Sequence, residues 1–226
     1  VLSKPIYSIT PFTLLDYPDK SACIIWYVGC NMRCLYCYNP EIVLGKGTTT
    51  FSEAISFLKS RIGLLDAVVF SGGECLIHKN CVDHIKRIKK MGFLIKVDTN
   101  GSNPEVLMQL INEKLIDYVA LDFKAVPSDF YKITKSNLFQ QFEKSFDILL
   151  ENKVQFELRT TYHSDLISDK KWDEMLLYLN SKNYTGNYYI QSFKNNVETL
   201  GDLTNSNEIK EKAKSNSLRF NIFYRN

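Results

Sequence analysis

The stretch Gly29-Cys30-Asn31-Met32-Arg33-Cys34-Leu35-Tyr36-Cys37-Tyr38-Asn39-Pro40 follows an apolar, β-branched run and holds three cysteines in the pattern C-x3-C-x2-C. Three thiolates this close together can face one centre. The number is odd for the common cysteine architectures, since a structural zinc site takes four ligands and a disulfide framework takes pairs. Three cysteines suit an iron–sulfur cube that keeps one iron open: cluster irons take cysteine thiolates, and an iron left without one can bind a small molecule. The competing readings are a zinc site completed by a distant histidine and a Cys-x-x-Cys redox pair. The chain has no second Cys-x-x-Cys arm for zinc, and a dithiol has no use for a third cysteine.

Upstream, Ile6 to Leu15, the turn signal Asp16-Tyr17-Pro18-Asp19 and Ser21 to Val28 read as a hairpin leading into a buried strand. Downstream, strands and helices alternate. Ser52 is the expected N-cap of a helix to about Ile62, with Ala54, Ile55, Leu58 and Ile62 at helical spacing. Asp66 to Phe70 is a short strand ending in Ser71-Gly72-Gly73-Glu74. A helix over 79–91 stops at Gly92, and a strand from Phe93 to Val97 ends in Asp98-Thr99-Asn100-Gly101. Pro104 opens a helix to about Leu115, and Tyr118 to Leu121 leads into Asp122-Phe123-Lys124. One long helical region over 129–151, a strand from Val154 to Thr161, a helix marked by Trp172, Met175, Leu176 and Leu179, and a strand from Tyr188 to Phe193 follow. The stretch 194–216, rich in Asn, Lys, Glu and Ser, reads as loop plus a solvated helix, and Leu218 to Tyr224 as a last strand.

Such alternation predicts an α/β fold with parallel strands joined by right-handed crossovers. The cysteine loop, Ser71–Glu74, Asp98–Gly101, Asp122–Lys124, Arg159–Thr161 and Gln191 all fall at or near strand C-terminal ends. In barrels and open α/β sheets, ligands bind at that edge.

Of the 226 residues, 45% are hydrophobic, enough for a sizeable core, and no linker divides them. The expectation is therefore a single domain over 1–226, with a core of about 20–193 and a C-terminal extension of about 194–226. With 28 basic and 25 acidic residues, the net charge of +3 argues for neither nucleic acid nor membrane as a partner. No run approaches the ~18 apolar residues of a membrane span. The start, Val1-Leu2-Ser3-Lys4-Pro5, lacks the pattern of a signal peptide, though the chain does not begin with Met. Six cysteines, three of them clustered, point to a metal site in the reducing cytoplasm. Cys23, Cys75 and Cys81 are expected as buried or free thiols, a second cluster being the alternative. His78 and His84 are expected to be solvated, as is the Lys86-Arg87-Lys89-Lys90 face.

On these motifs the chain resembles the radical S-adenosylmethionine superfamily, and within it the glycyl-radical-enzyme activases, which include the pyruvate formate-lyase activator. The opening from Ile9 to Pro40 resembles more closely the activating proteins of anaerobic ribonucleoside-triphosphate reductase. The resemblance implies a partial (β/α)6 TIM-like barrel carrying an N-terminal β-hairpin. It implies a 4Fe–4S cluster on Cys30, Cys34 and Cys37 whose fourth iron is chelated by S-adenosylmethionine. The reduced cluster cleaves the cofactor to methionine and a 5′-deoxyadenosyl radical. Tyr36 is then expected near adenine. Gly72, Gly73 and Glu74 match the superfamily's Gly-Gly-Glu segment, with Glu74 accepting from the cofactor ammonium; Cys75 stands where proline is commoner, which loosens the turn or puts a thiol near the pocket. Thr99, with Asn100 beside it, faces the cofactor carboxylate, and Lys124, counted with the cysteines as catalytic, contacts the cofactor's polar groups. Arg159 pairs with the cofactor carboxylate, and Gln191 and His163 are weaker candidates. Asp98 and Asp122 are expected to hold a monovalent cation, Na+ or K+, because two carboxylates converging beside a third would otherwise repel.

The implied activity is abstraction of hydrogen from a glycine Cα in a partner enzyme, anaerobic ribonucleoside-triphosphate reductase first. Reduced flavodoxin or ferredoxin is the expected electron donor. Alternatives are an activator of pyruvate formate-lyase or another glycyl-radical enzyme, or a small-molecule enzyme such as a 7-carboxy-7-deazaguanine synthase. Those synthases usually read Cys-Asp-Thr where this chain reads Cys37-Tyr38-Asn39-Pro40. A non-enzymatic zinc or iron–sulfur protein is the reading from another class.

Overall fold

The computed structural model describes residues 4–207 and 218–225. Among these residues eight strands form one sheet in the order β1 to β8. They are β1 (Ile6–Thr13), β2 (Ala22–Tyr27), β3 (Ala67–Gly72), β4 (Leu94–Thr99), β5 (Tyr118–Asp122), β6 (Gln155–Tyr162), β7 (Asn187–Ser192) and β8 (Asn221–Arg225). β1 and β2 form the antiparallel hairpin, and every later pairing is parallel. Among the described residues seven α-helices connect the strands: α1 (Pro40–Leu44), α2 (Phe51–Lys59), α3 (Cys81–Lys89), α4 (Pro104–Asn112), α5 (Pro127–Thr134), α6 (Phe139–Glu151) and α7 (Asp169–Ser181). The fold is the expected partial barrel, open between β1 and β8.

The period-2 geometry of strands divides the sheet into two faces. On the outer face Cys23, Ile25, Tyr27, Val68, Phe70, Ile95, Val97, Leu158 and Ile190 join the main core with helix residues such as Leu107, Phe142, Phe146 and Met175. The inner face carries a small apolar cluster at its β2–β3 side, Ala22, Ile24, Ala67 and Val69, with Tyr17 and Tyr118. Further round, the inward positions are charged: Lys96 and Asp98 on β4, Asp122 on β5, Glu157 and Arg159 on β6. A cavity of about 800 Å³ follows this face from Leu14–Pro18 in the hairpin turn to Tyr38 and Lys194 at the opposite end.

Several boundaries differ from the sequence reading. The cap of α2 is Thr50 rather than Ser52: Thr50 Oγ accepts from Glu53 N and Glu53 Oε2 accepts from Thr50 N, a complete capping box. The single helix expected over 129–151 is two, α5 and α6, because Lys135 takes a left-handed φ of 55° and ends the first. The five-residue α1 was not expected. Residues 194–207 are coil that folds back over the cysteine loop, and the helix expected within 194–216 falls partly on 208–216, outside the described residues. No helix among the described residues is long and apolar enough to cross a membrane.

Candidate active site

The cysteine loop leaves β2 at the C-terminal edge of the sheet and is held by backbone on every side. Gly29 N donates to Ile42 O at 2.8 Å, Arg33 N to Thr134 O at 2.8 Å, and Leu35 N to Ile133 O at 3.0 Å. The loop is thus stitched to α1 and to the end of α5. Cys37 N donates to Cys34 O at 3.0 Å, a tight turn that keeps the last two cysteines together. Cys30 Sγ accepts from Met32 N at 3.4 Å and from Asn100 Nδ2 at 3.8 Å. Burial pushes the Cys30 thiol up to about 12 and raises that of Cys34, against the nearby Lys124 charge. Among the described residues no three His, Cys, Asp or Glu side chains converge as they would on a single ion. A four-iron cube asks for something different, since its thiolates bind separate irons at separate corners. Three soft thiol ligands with no fourth fit a cube with one open corner.

The Gly-Gly-Glu segment runs against the start of this loop. Gly73 N donates to Tyr27 O and Glu74 N to Gly29 O, both at 2.9 Å. A Cβ on Gly72 would lie 2.2 Å from Tyr27 O, and one on Gly73 2.0 Å from Gly29 O, so only glycine permits the approach. Glu74 is 1% exposed. Its oxygens accept from Leu76 N at 3.1 Å, Thr99 Oγ at 2.9 Å and Asn100 N at 2.6 Å. Burial raises its carboxyl to about 7 despite these three donors. Glu74 and Thr99 therefore tie the ends of β3 and β4 to each other. Asn100 carries the link onward: its Nδ2 also donates to Asn31 Oδ1 at 3.0 Å. Cys75 opens a short 3-10 turn and turns into the core, with Sγ 3.8 Å from Phe70 O, so its thiol does not enter the pocket.

Below these segments, Asp98 and Asp122 stand on adjacent strands within a ring of basic groups. Lys96 Nζ lies 2.5 Å from Asp98 Oδ1, and Arg159 contacts Asp98 at 3.3 Å and Asp122 at 3.1 Å. Lys124 Nζ is 3.3 Å from Asp122 Oδ2. Burial works to raise the Asp98 carboxyl, but the Arg159 and Lys96 charges hold it below the usual range. Lys124 also lies 5.8 Å from the centre of the buried Tyr36 ring. Gln191 lines the cavity beside Arg159. The candidates from six neighbouring strands, β2 to β7, are thus assembled on one side of the sheet.

Three other placements depart from expectation. His163 is fully buried, with Nε2 2.8 Å from Thr204 O, and holds the C-terminal segment rather than facing the pocket. His84 is 6% exposed, stacked on Phe51 at 3.7 Å with Nδ1 2.9 Å from the Tyr27 hydroxyl, and His78 Nε2 is 2.7 Å from Val28 O. His84 is buried rather than solvated, because the inner side of α3 packs on β2, whereas His78 is half-buried and still borders the surface. On the basic face of α3, Lys86 pairs with Glu113 and Lys89 with Asp117. Cys23, Cys75 and Cys81 are buried free thiols, as expected.

Two contributors escaped the sequence reading. Lys96 was missed, though a lysine two residues before Asp98 in an otherwise apolar strand places both on one face. The other is the segment 195–206, a closed loop whose ends are joined by Asn195–Ser206 and Asn196–Asn205 hydrogen bonds. Its tip rests on the cysteine loop: Leu200 N donates to Cys37 O at 3.1 Å and Gly201 N to Leu35 O at 2.8 Å. No periodicity signals such a contact.

Residues 24–179 match the model of the Radical SAM superfamily. A protein of Methanocaldococcus jannaschii, named provisionally a glycyl-radical enzyme activating enzyme, is 34% identical over 180 residues, 75% of this chain and 73% of its own length. The pyruvate formate-lyase-activating enzyme of Clostridium pasteurianum is 32% identical over 134 residues, 56% of this chain and 55% of the relative. Among solved structures, Streptococcus suis SuiB bound to S-adenosylmethionine superposes with a TM-score of 0.61 at 12% identity, over 88% of this chain and 48% of SuiB. That likeness is one of fold, and the chain spans about half of that protein.

Proposed function

The chain belongs to the radical SAM superfamily, and from that premise we propose that it activates a glycyl-radical enzyme, with anaerobic ribonucleoside-triphosphate reductase as the partner. The observation that carries this reading is the 34% identity, over three quarters of the chain, to a relative named for that activity. The superfamily uses a 4Fe–4S cluster and S-adenosylmethionine, and the chemistry they supply when bound is a 5′-deoxyadenosyl radical.

In this reading Cys30, Cys34 and Cys37 hold the cluster. Backbone of Gly72 and Gly73 leaves room for the cofactor's methionyl end, with Glu74 on its ammonium and Thr99 and Asn100 near its carboxylate. Tyr36 flanks the adenine. Lys124 supplies positive charge beside it, and Arg159 and Gln191 line the far wall. The chain's task is to hold the cofactor and keep water away, since the reactive carbon must meet only the intended hydrogen.

The substrate approaches through the open seam. Exposed Phe12, Leu14 and Leu15 border it on the β1 side, and the cavity runs inward from Leu14 and Leu15 to Arg159 and Gln191. An apolar rim leading to a polar channel suits a polypeptide loop whose glycine is delivered to the cofactor. With the cofactor bound, the hydrogen taken would be that on the glycine Cα, which would leave a glycyl radical on the partner. Reduced flavodoxin or ferredoxin supplies the electron, for which exposed Arg87 on α3 and Lys90 at its C-terminal cap offer a basic approach. The free cysteines suit the cytoplasm.

The test is electron paramagnetic resonance of purified reductase incubated anaerobically with cluster-loaded protein, S-adenosylmethionine and a reductant. The reading predicts a glycyl-radical signal that requires all components. The 32% identity to a pyruvate formate-lyase-activating enzyme favours pyruvate formate-lyase as the second partner to try. A signal there and none with the reductase would reassign the partner; none with either, while the cofactor is still cleaved, would refute the activase reading.

A further inference from the structure

The family resemblance predicts that Asp98 and Asp122 hold a monovalent cation, and the residues around them do not fit one. Each of the four carboxylate oxygens already faces a basic group of the chain. Asp98 Oδ1 lies 2.5 Å from Lys96 Nζ and Asp98 Oδ2 3.3 Å from an Arg159 Nη. Asp122 Oδ1 lies 3.1 Å from Arg159, which reaches it through both Nε and the other Nη, and Asp122 Oδ2 lies 3.3 Å from Lys124 Nζ. Asp98 Oδ2 also accepts from Ser71 Oγ at 3.1 Å. Arg159 spans both strands, spending all three of its nitrogens on the pair.

The charge balance points the same way. Three fixed cations surround the two carboxylates, and the buried Glu157, whose charge also acts on Arg159, offsets the third. Lys96 is 2% exposed and Asp98 10%, against 29% for Asp122, so solvent screens the Asp98 side of the ring least. A mobile cation would enter a site whose carboxylates are already balanced and find no Asp98 or Asp122 oxygen without a basic partner. Among the described residues no third acidic, imidazole or thiol side chain joins the two aspartates. The guanidinium's fixed planar fork and its permanent charge make it a durable substitute for an exchangeable ion.

We infer that Arg159, seconded by Lys96, is this chain's built-in replacement for the monovalent cation, so that the cofactor site is independent of Na+ and K+. Arg159 is then a positioning residue: it acts on the cofactor through Asp98 and Asp122. The inference rests on family membership alone and involves no partner enzyme, so it stands or falls separately from the activase reading.

The experiment measures S-adenosylmethionine affinity of the cluster-loaded protein by calorimetry in sodium, potassium and choline chloride at equal ionic strength. Sodium-23 nuclear magnetic resonance of the same protein reports bound Na+ directly. The wild type is expected to bind the cofactor within about twofold across the three salts, with no K+-displaceable broadening of the sodium line. Arg159→Met opens two carboxylates without a counter-charge. Its affinity in choline should fall roughly tenfold or more and recover in part on adding Na+ or K+, with displaceable sodium broadening appearing. Arg159→Lys should restore part of the loss. Lys96→Met provides the same measurement if Arg159→Met does not fold. A wild-type affinity that drops fivefold or more in choline, or a displaceable sodium signal from the wild type, overturns the inference.

Discussion

Gly201 N donates to Leu35 O at 2.8 Å, joining the C-terminal segment to the loop that carries the three site cysteines. A Cβ at Gly201 would lie 2.6 Å from the Leu35 Cα and carbonyl oxygen, so backbone, not a flexible side chain, blocks any larger residue. The contact covers one flank of the loop, and His163 fixes the segment's return through Thr204 O. Gly201→Val is therefore expected to push the segment off the loop. The fold should survive, because the segment lies at the edge of the core. The cluster, once loaded, should bleach several-fold faster in air than in wild type, read from the decay of its visible absorbance, with overpacking costing about 1–3 kcal/mol at most. Equal bleaching rates would show that the segment gives no cover.

Two glycines in the site separate room from conformation. Gly29 has a φ of +78° and open space where a Cβ would go, whereas Gly73 has a Cβ position 2.0 Å from Gly29 O. Gly29→Ala should cost about 1 kcal/mol in strain and still load iron. Gly73→Ala must displace the start of the cysteine loop, and is expected to lose most of the cluster at a stability cost of about 1–3 kcal/mol. Iron content and denaturant melts of the two variants check this. The reverse order would mean that the close approach of the two chains does not shape the loop.

His84 makes the chain sensitive to acid. Burial lowers its pKa to about 4, with Arg87 adding to the effect and Asp83 opposing it. The folded state thus binds its proton less readily than the unfolded chain, whose histidine titrates near 6.5. The stability that depends on a neutral His84 is present above that value and is lost as pH falls from about 6.5 toward 4. In His84→Gln this contribution is absent. The stability difference between wild type and variant should therefore shrink between pH 7 and pH 5, measured by urea melts of the cluster-free protein. Parallel curves would contradict the assignment.

Much of this was legible in the chain. The cysteine triplet, Ser71–Glu74, Asp98–Gly101 and Asp122–Lys124 could be placed at strand ends because short apolar runs precede each of them, and a strand end is a local property. The parallel order followed from alternation. Contacts made by backbone groups far apart in sequence were not legible. Nothing around Leu200 and Gly201 marks them as partners of Cys37 and Leu35, because any residue can supply the same N–H. Glu74 illustrates a second limit. Its segment was readable, but three donors and near-complete burial make it a clamp between β3 and β4, which the motif alone does not convey. The burial of His84 is a third case. Helical spacing puts it close to the apolar stripe of Ile85 and Ile88, yet only the stacked Phe51 ring, from another helix, decides that it is covered.

The most direct test of the account uses anaerobic reductase whose glycines carry deuterium at Cα, incubated with cluster-loaded protein, S-adenosylmethionine and a reductant, with the product analysed by mass spectrometry. The account predicts 5′-deoxyadenosine bearing one deuterium, formed together with the glycyl radical, and neither product with Cys34→Ala. Undeuterated 5′-deoxyadenosine in the presence of the partner, with no glycyl radical, would contradict it.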